Sequence, residues 1–118
     1  MIVRNTRSEI VDQRWYRAHD GGTATMLFDS EELEGILFFA HAELKPGKVI
    51  EEHIDPYEEI YYIVKGSGLM KVGDEEQQVY AGDATWLPYG IPHRLENNTD
   101  EDCIFVVAAG FPRGQTLL

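Results

Sequence analysis

The sequence predicts an all-β protein, a sandwich or barrel of many short strands, and three observations carry that prediction. Turn signals recur along the chain, at Asp20-Gly21-Gly22, Pro46-Gly47, Lys65-Gly66-Ser67-Gly68, Gly73-Asp74, Ala81-Gly82-Asp83, Pro88-Tyr89-Gly90 and Asn97-Asn98-Thr99-Asp100. Between them lie short runs rich in β-branched and aromatic residues, spaced roughly 8–12 residues apart. No stretch shows the period and length of an amphipathic helix.

Taken in order, the runs that read as strands are Thr23–Phe28, Gly35–Leu44, Val49–His53, Glu59–Val64, Gly68–Val72, Gln77–Tyr80, Ala84–Leu87, His93–Asn97 and Cys103–Ala108. Alternation supports the second of these: Ile36, Phe38, Ala40, Ala42 and Leu44 share one face, with Leu37, Phe39, His41 and Glu43 on the other. Ser30–Leu33 suits a single helical turn, with Ser30 as its cap and Glu31 and Glu32 near its positive end. Gly47, Gly66, Gly82 and Gly90 sit where a turn needs φ above zero. Asn97 is expected to hydrogen-bond backbone at a strand end.

A chain of 118 residues is the right size for one hydrophobic core, so residues 1–118 read as one domain. The 21 acidic residues against 10 basic ones give a net charge of −11, which repels polyanions and anionic membranes and argues against nucleic-acid or membrane partners. The single cysteine, Cys103, excludes an internal disulfide. It reads as a small buried hydrophobe, because Asp100, Glu101 and Asp102 are the wrong neighbours for a reactive thiolate. With no apolar leader or membrane-length segment, the expected location is the cytoplasm.

Four histidines are present, and two of them stand among acidic residues at strand boundaries. His53 and Asp55 are two residues apart on an extended chain, so their side chains leave one face. Glu59 lies past the Pro56 bend at the start of the next strand. His93 follows the rigid Pro88-Tyr89-Gly90-Ile91-Pro92 turn. Two imidazoles and one or two carboxylates converging from adjacent strands are what a divalent transition metal requires.

The segment Gly47-x5-His53-x-Asp55-x3-Glu59-x6-Gly66 resembles the first motif of the cupin superfamily, and Gly82-x5-Pro88-x-Gly90-x2-His93-x3-Asn97 matches the second at every defined position. The two motifs, at 47–66 and 82–97, identify the chain as similar to small cupins. The resemblance implies a double-stranded β-helix, a jelly-roll barrel, with His53, Glu59 and His93 as metal ligands near one mouth. The chain departs from the family pattern at Asp55, where the second histidine of a His-x-His pair is expected.

Asp55 admits two readings. As a fourth ligand its hard oxygen favours Fe2+ or Mn2+, with Zn2+ and Ni2+ also compatible with the imidazoles. As an Asx-type turn ahead of Pro56 it leaves two histidines and one carboxylate on the metal. Some cupins bind no metal, and a replaced ligand is how such a loss begins. Glu59 and Tyr57 are the candidate acid–base groups, and His41 is a third if it reaches the pocket; a structural or surface place is the commoner use of such a histidine.

Tyr61 and Ile63 share parity with Glu59 and should line the interior. Tyr57, Tyr61, Tyr62, Tyr89 and Trp86 are expected to pack as core aromatics. Arg94 points outward, and His19 reads as a loop residue. By resemblance, the function is either metal-dependent catalysis on a small oxygenated molecule (dioxygenase-, isomerase- or lyase-like) or non-catalytic binding or sensing of one. A homodimer is implied too, through an N-terminal segment 1–20 carrying Ile2, Val3, Ile10, Val11, Trp15 and Tyr16.

Overall fold

The computed structural model describes residues 1–7, 15–18 and 21–111. Ile10, Val11 and His19 lie outside them, with the rest of residues 8–14 and 19–20 of the segment expected to make dimer contacts. Among the described residues ten strands follow one another: β1 (Trp15–Ala18), β2 (Gly22–Phe28), β3 (Phe38–Leu44), β4 (Val49–His53), β5 (Glu58–Lys65), β6 (Ser67–Val72), β7 (Glu75–Tyr80), β8 (Ala84–Leu87), β9 (His93–Glu96) and β10 (Cys103–Gly110). They form a six-stranded sheet, ordered β1-β2-β3-β10-β5-β8, and a four-stranded sheet, ordered β4-β9-β6-β7. Every pairing is antiparallel. Strands distant in sequence become neighbours, as in β3-β10-β5, which gives the jelly-roll connectivity expected of an all-β barrel.

Strict alternation builds the core between the sheets. On β10, Cys103, Phe105, Val107 and Ala109 are buried while their neighbours are partly exposed. On β5, Glu59, Tyr61 and Ile63 face in. Leu44, Ile50, Leu87 and Leu95 complete a continuous cluster with Phe105, and burial of each large side chain contributes about 2–3 kcal/mol. Burial pushes the Cys103 thiol up to about 11, consistent with an inert thiol.

Two local expectations are corrected. The strand expected from Gly35 starts at Phe38, because the β10 ladder ends there: Ala109 pairs with Phe38 and only the Leu37 N–H still reaches the Ala109 carbonyl, at 2.8 Å. Ile36 is accordingly exposed rather than on the core face. The helical turn after β2 is capped by Asp29, not Ser30. The Asp29 carboxylate accepts from Glu31 N–H at 2.9 Å, and Glu32 reaches back to Asp29 N–H at 3.0 Å, a reciprocal cap.

Gly66, at φ +83°, shows why a turn glycine is required: a Cβ there would lie 2.2 Å from the Asp102 carbonyl oxygen. Gly47, Gly82 and Gly90 also adopt positive φ, as the sequence predicts. Among the described residues no helix is long and apolar enough to cross a membrane.

Candidate metal centre

A register shift in β4 aims the first histidine. Ile50 pairs with Leu95, yet His53 pairs with His93, so β4 advances three residues while β9 advances two. Side chains alternate with period two, so without the extra residue His53 would face opposite to buried Ile50. The bulge at the exposed Glu51-Glu52 pair restores the parity and turns His53 inward. Glu59 enters from β5, paired with Ala109 and Leu87. His93 opens β9 directly after Pro92. Asp55 comes from the β4–β5 loop, where its carbonyl accepts from Gly90 N–H at 3.4 Å.

Together His53, Asp55, Glu59 and His93 present one donor atom each, all within 4.8 Å of one another. His53 Nε2 lies 3.1 Å from Asp55 Oδ2, and His93 Nε2 lies 3.5 Å from Asp55 Oδ2 and 3.4 Å from Glu59 Oε1. Donor atoms about 2.1 Å from a shared cation are spaced about 3.0 Å at an octahedral angle and about 3.4 Å at a tetrahedral one. The observed separations match that spacing.

The backbone selects which ring nitrogens face the centre. His53 Nδ1–H donates to the Glu51 carbonyl at 2.7 Å, and His93 Nδ1 lies 3.4 Å from the Ile91 carbonyl. Because a carbonyl only accepts, Nδ1 carries the hydrogen and Nε2 turns toward the carboxylates, the arrangement that orients a metal-ligating imidazole. Tyr61 stands edge-on to His93, ring centroids 6.1 Å apart, and packs on Phe105.

Electrostatics divide the two carboxylates. Burial raises the Asp55 pKa, but hydrogen bonds with His53 and Glu59 and the histidine charges outweigh it and hold Asp55 at about 2. For Glu59, burial dominates and, with the Asp55 charge, pushes the pKa up despite His93. Burial opposes the charged form of His53, yet Asp55 and the Glu51 carbonyl raise it. Glu59 Oε1 and His93 Nε2 are buried with no hydrogen-bond partner. Two orphaned acceptors facing one point are costly unless a cation lies between them, so the donor set fits a divalent metal.

The other expected site residues are not among the four donors. His41 sits between buried Ala40 and Ala42 on β3 and faces outward from the barrel, so strand alternation keeps it from the cluster. Tyr57 is half-buried and stands edge-on to Phe38, with centroids 5.6 Å apart. Tyr61 is buried as expected, but Tyr62, Tyr89 and Trp86 are 44%, 49% and 62% exposed and are not core aromatics. The first and last of these are the outward residues of β5 and β8. Arg94 pairs with Glu96 at 3.0 Å at the partly exposed surface. What sequence reasoning missed is the β4 bulge and the Glu51 carbonyl behind His53; two consecutive glutamates interrupting an alternating strand were its signal.

Comparison with known proteins agrees with this fold. Residues 40–109 match the family model described as Cupin domain. The chain is 31% identical over 96 residues, 79% of its length, to the tetracenomycin polyketide synthase protein TcmJ of Streptomyces glaucescens, spanning 64% of that protein and so less than two thirds of it. It is 32% identical over 114 residues to the oxalate-binding protein of Thermotoga maritima, covering 91% of this chain and 93% of that one. The crystal structure of a predicted oxalate decarboxylase from Thermotoga maritima superposes with a TM-score of 0.76 at 25% identity, over 95% of this chain and all of that one.

Proposed function

This chain belongs to the cupin domain family, and from that premise we propose that His53, Asp55, Glu59 and His93 hold one divalent metal and act with it on a small oxygenated organic molecule. The observation that carries the proposal is the pair of orphaned buried atoms, Glu59 Oε1 and His93 Nε2, turned toward the same point as His53 and Asp55. Two nitrogens and two carboxylate oxygens favour Fe2+ or Mn2+, and the imidazoles also accommodate Zn2+ or Ni2+. When bound there, such a metal supplies Lewis-acid polarisation of a carbonyl or carboxylate oxygen.

The chain's own residues supply the rest. The Glu51 and Ile91 carbonyls hold both imidazoles in the tautomer that presents Nε2. Glu59, whose burial favours its protonated form, is the group suited to hold or return a proton at Oε1. Tyr57, in the loop between the ligands, is the second candidate donor. The buried core aliphatics and Tyr61 exclude water behind the cluster. The reaction class is dioxygenase-, isomerase- or lyase-like, and the whole of residues 1–118 acts as one unit.

A second reading, binding without turnover, is favoured by the relative whose name is oxalate-binding protein, which this chain matches over 91% of its length. Metal analysis of protein purified without added metal or chelator tests the centre. About one equivalent per chain is expected, and His93→Ala should abolish it. Oxalate and small β-diketones offered to the metal-loaded protein then separate the readings. Consumption of ligand or oxygen supports the enzyme; saturable binding with the ligand recovered intact supports the binding module. Wild-type protein that neither carries nor takes up metal would falsify the metal-dependent enzyme and give the lead to the binding module.

A further inference from the structure

The cluster brings its own countercharge to a divalent cation. His53 and His93 are neutral when they present Nε2, because each Nδ1 keeps its hydrogen toward a backbone carbonyl. Asp55 and Glu59 set two carboxylate oxygens within 4.8 Å of both imidazole donors, and a cation binds both in the ionised form. The loaded centre is therefore neutral as a whole. A histidine in place of Asp55, as in the family pattern, would leave it one positive charge. Asp55 removes that charge whether it binds the cation or stands beside it, since its Oδ2 lies 3.1 and 3.5 Å from the two Nε2 atoms.

No cation of the protein restores it. Among the described residues the buried polar side chains are Glu59, His93 and Asn97, so no lysine or arginine is buried beside the centre. On β9 and its neighbour β6 the basic side chains are Arg94 and Lys71, which pair in register on the face opposite His93. Arg94 is engaged by Glu96 at 3.0 Å, and Lys71 lies 4.0 Å from Glu52. Arg4 is held by Glu32 and by the Leu27 carbonyl.

The wall around the centre is apolar. Glu59 stands in one inward row with Phe38, Ala109 and Leu87, and the next inward row holds Met26, Ala40, Val107 and Tyr61. On the facing sheet Val72 pairs with His93. Most of these side chains are closed in the core, whereas Met26, Phe38 and Val72 face inward and are only partly buried. They form the open part of the wall, and the Tyr57 ring stands edge-on to Phe38.

We propose that the centre takes a chelating ligand of at most one negative charge, with two adjacent oxygens for the cation and an apolar body against Phe38, and that it discriminates against dicarboxylates. The proposal rests on the metal reading above and names the class of molecule that site selects. A dianion entering a neutral centre gives up the hydration of two charges and meets no net countercharge. A hydroxy-ketone or an enolisable dicarbonyl brings one charge at most, and its body covers apolar surface that a dicarboxylate leaves wet. Specificity therefore comes from what the pocket lacks as much as from what it holds.

Calorimetric titration of the Mn2+-loaded full chain with maltol, an uncharged hydroxy-pyranone, and with oxalate tests it, with Mn2+ content measured before and after. Asp55→His raises the charge of the centre by one, and Asp55→Asn does so without adding an imidazole. In both variants the ratio of oxalate to maltol affinity should rise about tenfold or more over wild type, because the added charge acts on two negative charges in one ligand and on one at most in the other. Phe38→Ser should weaken maltol several-fold and leave oxalate unchanged, with metal retained. The same ratio in wild type and both Asp55 variants overturns the charge argument while the metal reading stands. Maltol indifferent to Phe38→Ser overturns the apolar wall. Wild type that takes up no Mn2+ overturns the metal reading, and this inference with it.

Discussion

The two ends of β9 each bury a polar side chain, and they handle it in opposite ways. Past its last residue, Asn97 is fully buried and fully satisfied. Its amide nitrogen donates to the carbonyls of Leu44 and Glu101 at 2.8 and 2.7 Å, and its carbonyl oxygen accepts from the N–H and hydroxyl of Thr99 at 3.0 and 2.8 Å. At the first residue, His93 is 2% exposed and its Nε2 has no hydrogen-bond partner, facing a Glu59 oxygen in the same condition. Saturated polar groups fasten a fold. Unsaturated ones, brought together from β4, β5, β9 and one loop, carry an energetic cost that a bound cation would remove. The difference separates the structural residue of the second motif from the one proposed to bind metal.

The widest gap between the ends should come from Glu59→Gln. It keeps the shape of the side chain and removes its charge, so metal affinity should fall by more than the roughly 10–100-fold seen on losing a group behind a ligand. Melting without metal should hardly change, because burial and the neighbouring Asp55 charge already disfavour the ionised carboxylate that the variant removes. Calorimetric titration with Mn2+ beside a thermal scan reads both. A variant that melts far below wild type yet keeps its metal would give Glu59 the structural part instead.

Asn97→Ala should do the reverse. It removes the Asn97 donor from the Leu44 carbonyl, leaves the Glu101 carbonyl with only the Thr99 hydroxyl, and frees the loop at Thr99, at a cost of about 3 kcal/mol. For a domain of this size that lowers Tm by about 10 °C, with metal stoichiometry retained below the transition. Loss of metal without loss of stability would end the distinction between the two ends of β9.

Asp55 should show a smaller effect and decides between its two readings. Asp55→Asn keeps the turn ahead of Pro56 and removes the ligand charge, so affinity should fall about tenfold. Asp55→His, which restores the imidazole of the family pattern, should hold metal and shift preference toward softer ions such as Zn2+. Unchanged Mn2+ affinity in Asp55→Asn would assign the residue to the turn alone.

Most of the architecture was legible because turn residues and strand alternation are local signals. Val49–His53 and Ala84–Leu87 begin and end where expected, since turns bound both. The register was not legible. The β4 bulge that points His53 inward and the β5 bulge that brings Lys65 beside Ile104 depend on which strands become neighbours, a tertiary property. β1 was missed as a strand, because Trp15–Ala18 acquires its ladder only by pairing with β2. The cluster was found by motif spacing. The outward places of His41 and Tyr62 follow from strand parity, which already set them opposite Ala40 and Tyr61.

The mildest test uses pH. Asp55, held at about 2, contributes stability above the ordinary carboxylate range, and that contribution disappears only as pH falls toward 2. Glu59 has the opposite sign. Its raised pKa favours the fold below the usual glutamate value, and that advantage is lost as pH rises through the raised value. A bound cation reverses this penalty by stabilising the ionised carboxylate, and it also displaces the proton that Asp55 and the Glu51 carbonyl favour on His53. The gain in Tm on adding Mn2+ should therefore grow between about pH 5 and about pH 8, by at most a tenfold affinity change per unit for each proton displaced. Scanning fluorimetry with and without Mn2+ measures it. An equal gain at both ends of that range would mean that neither Glu59 nor His53 exchanges its proton for the metal, and that the polar end of β9 owes its arrangement to something other than a cation.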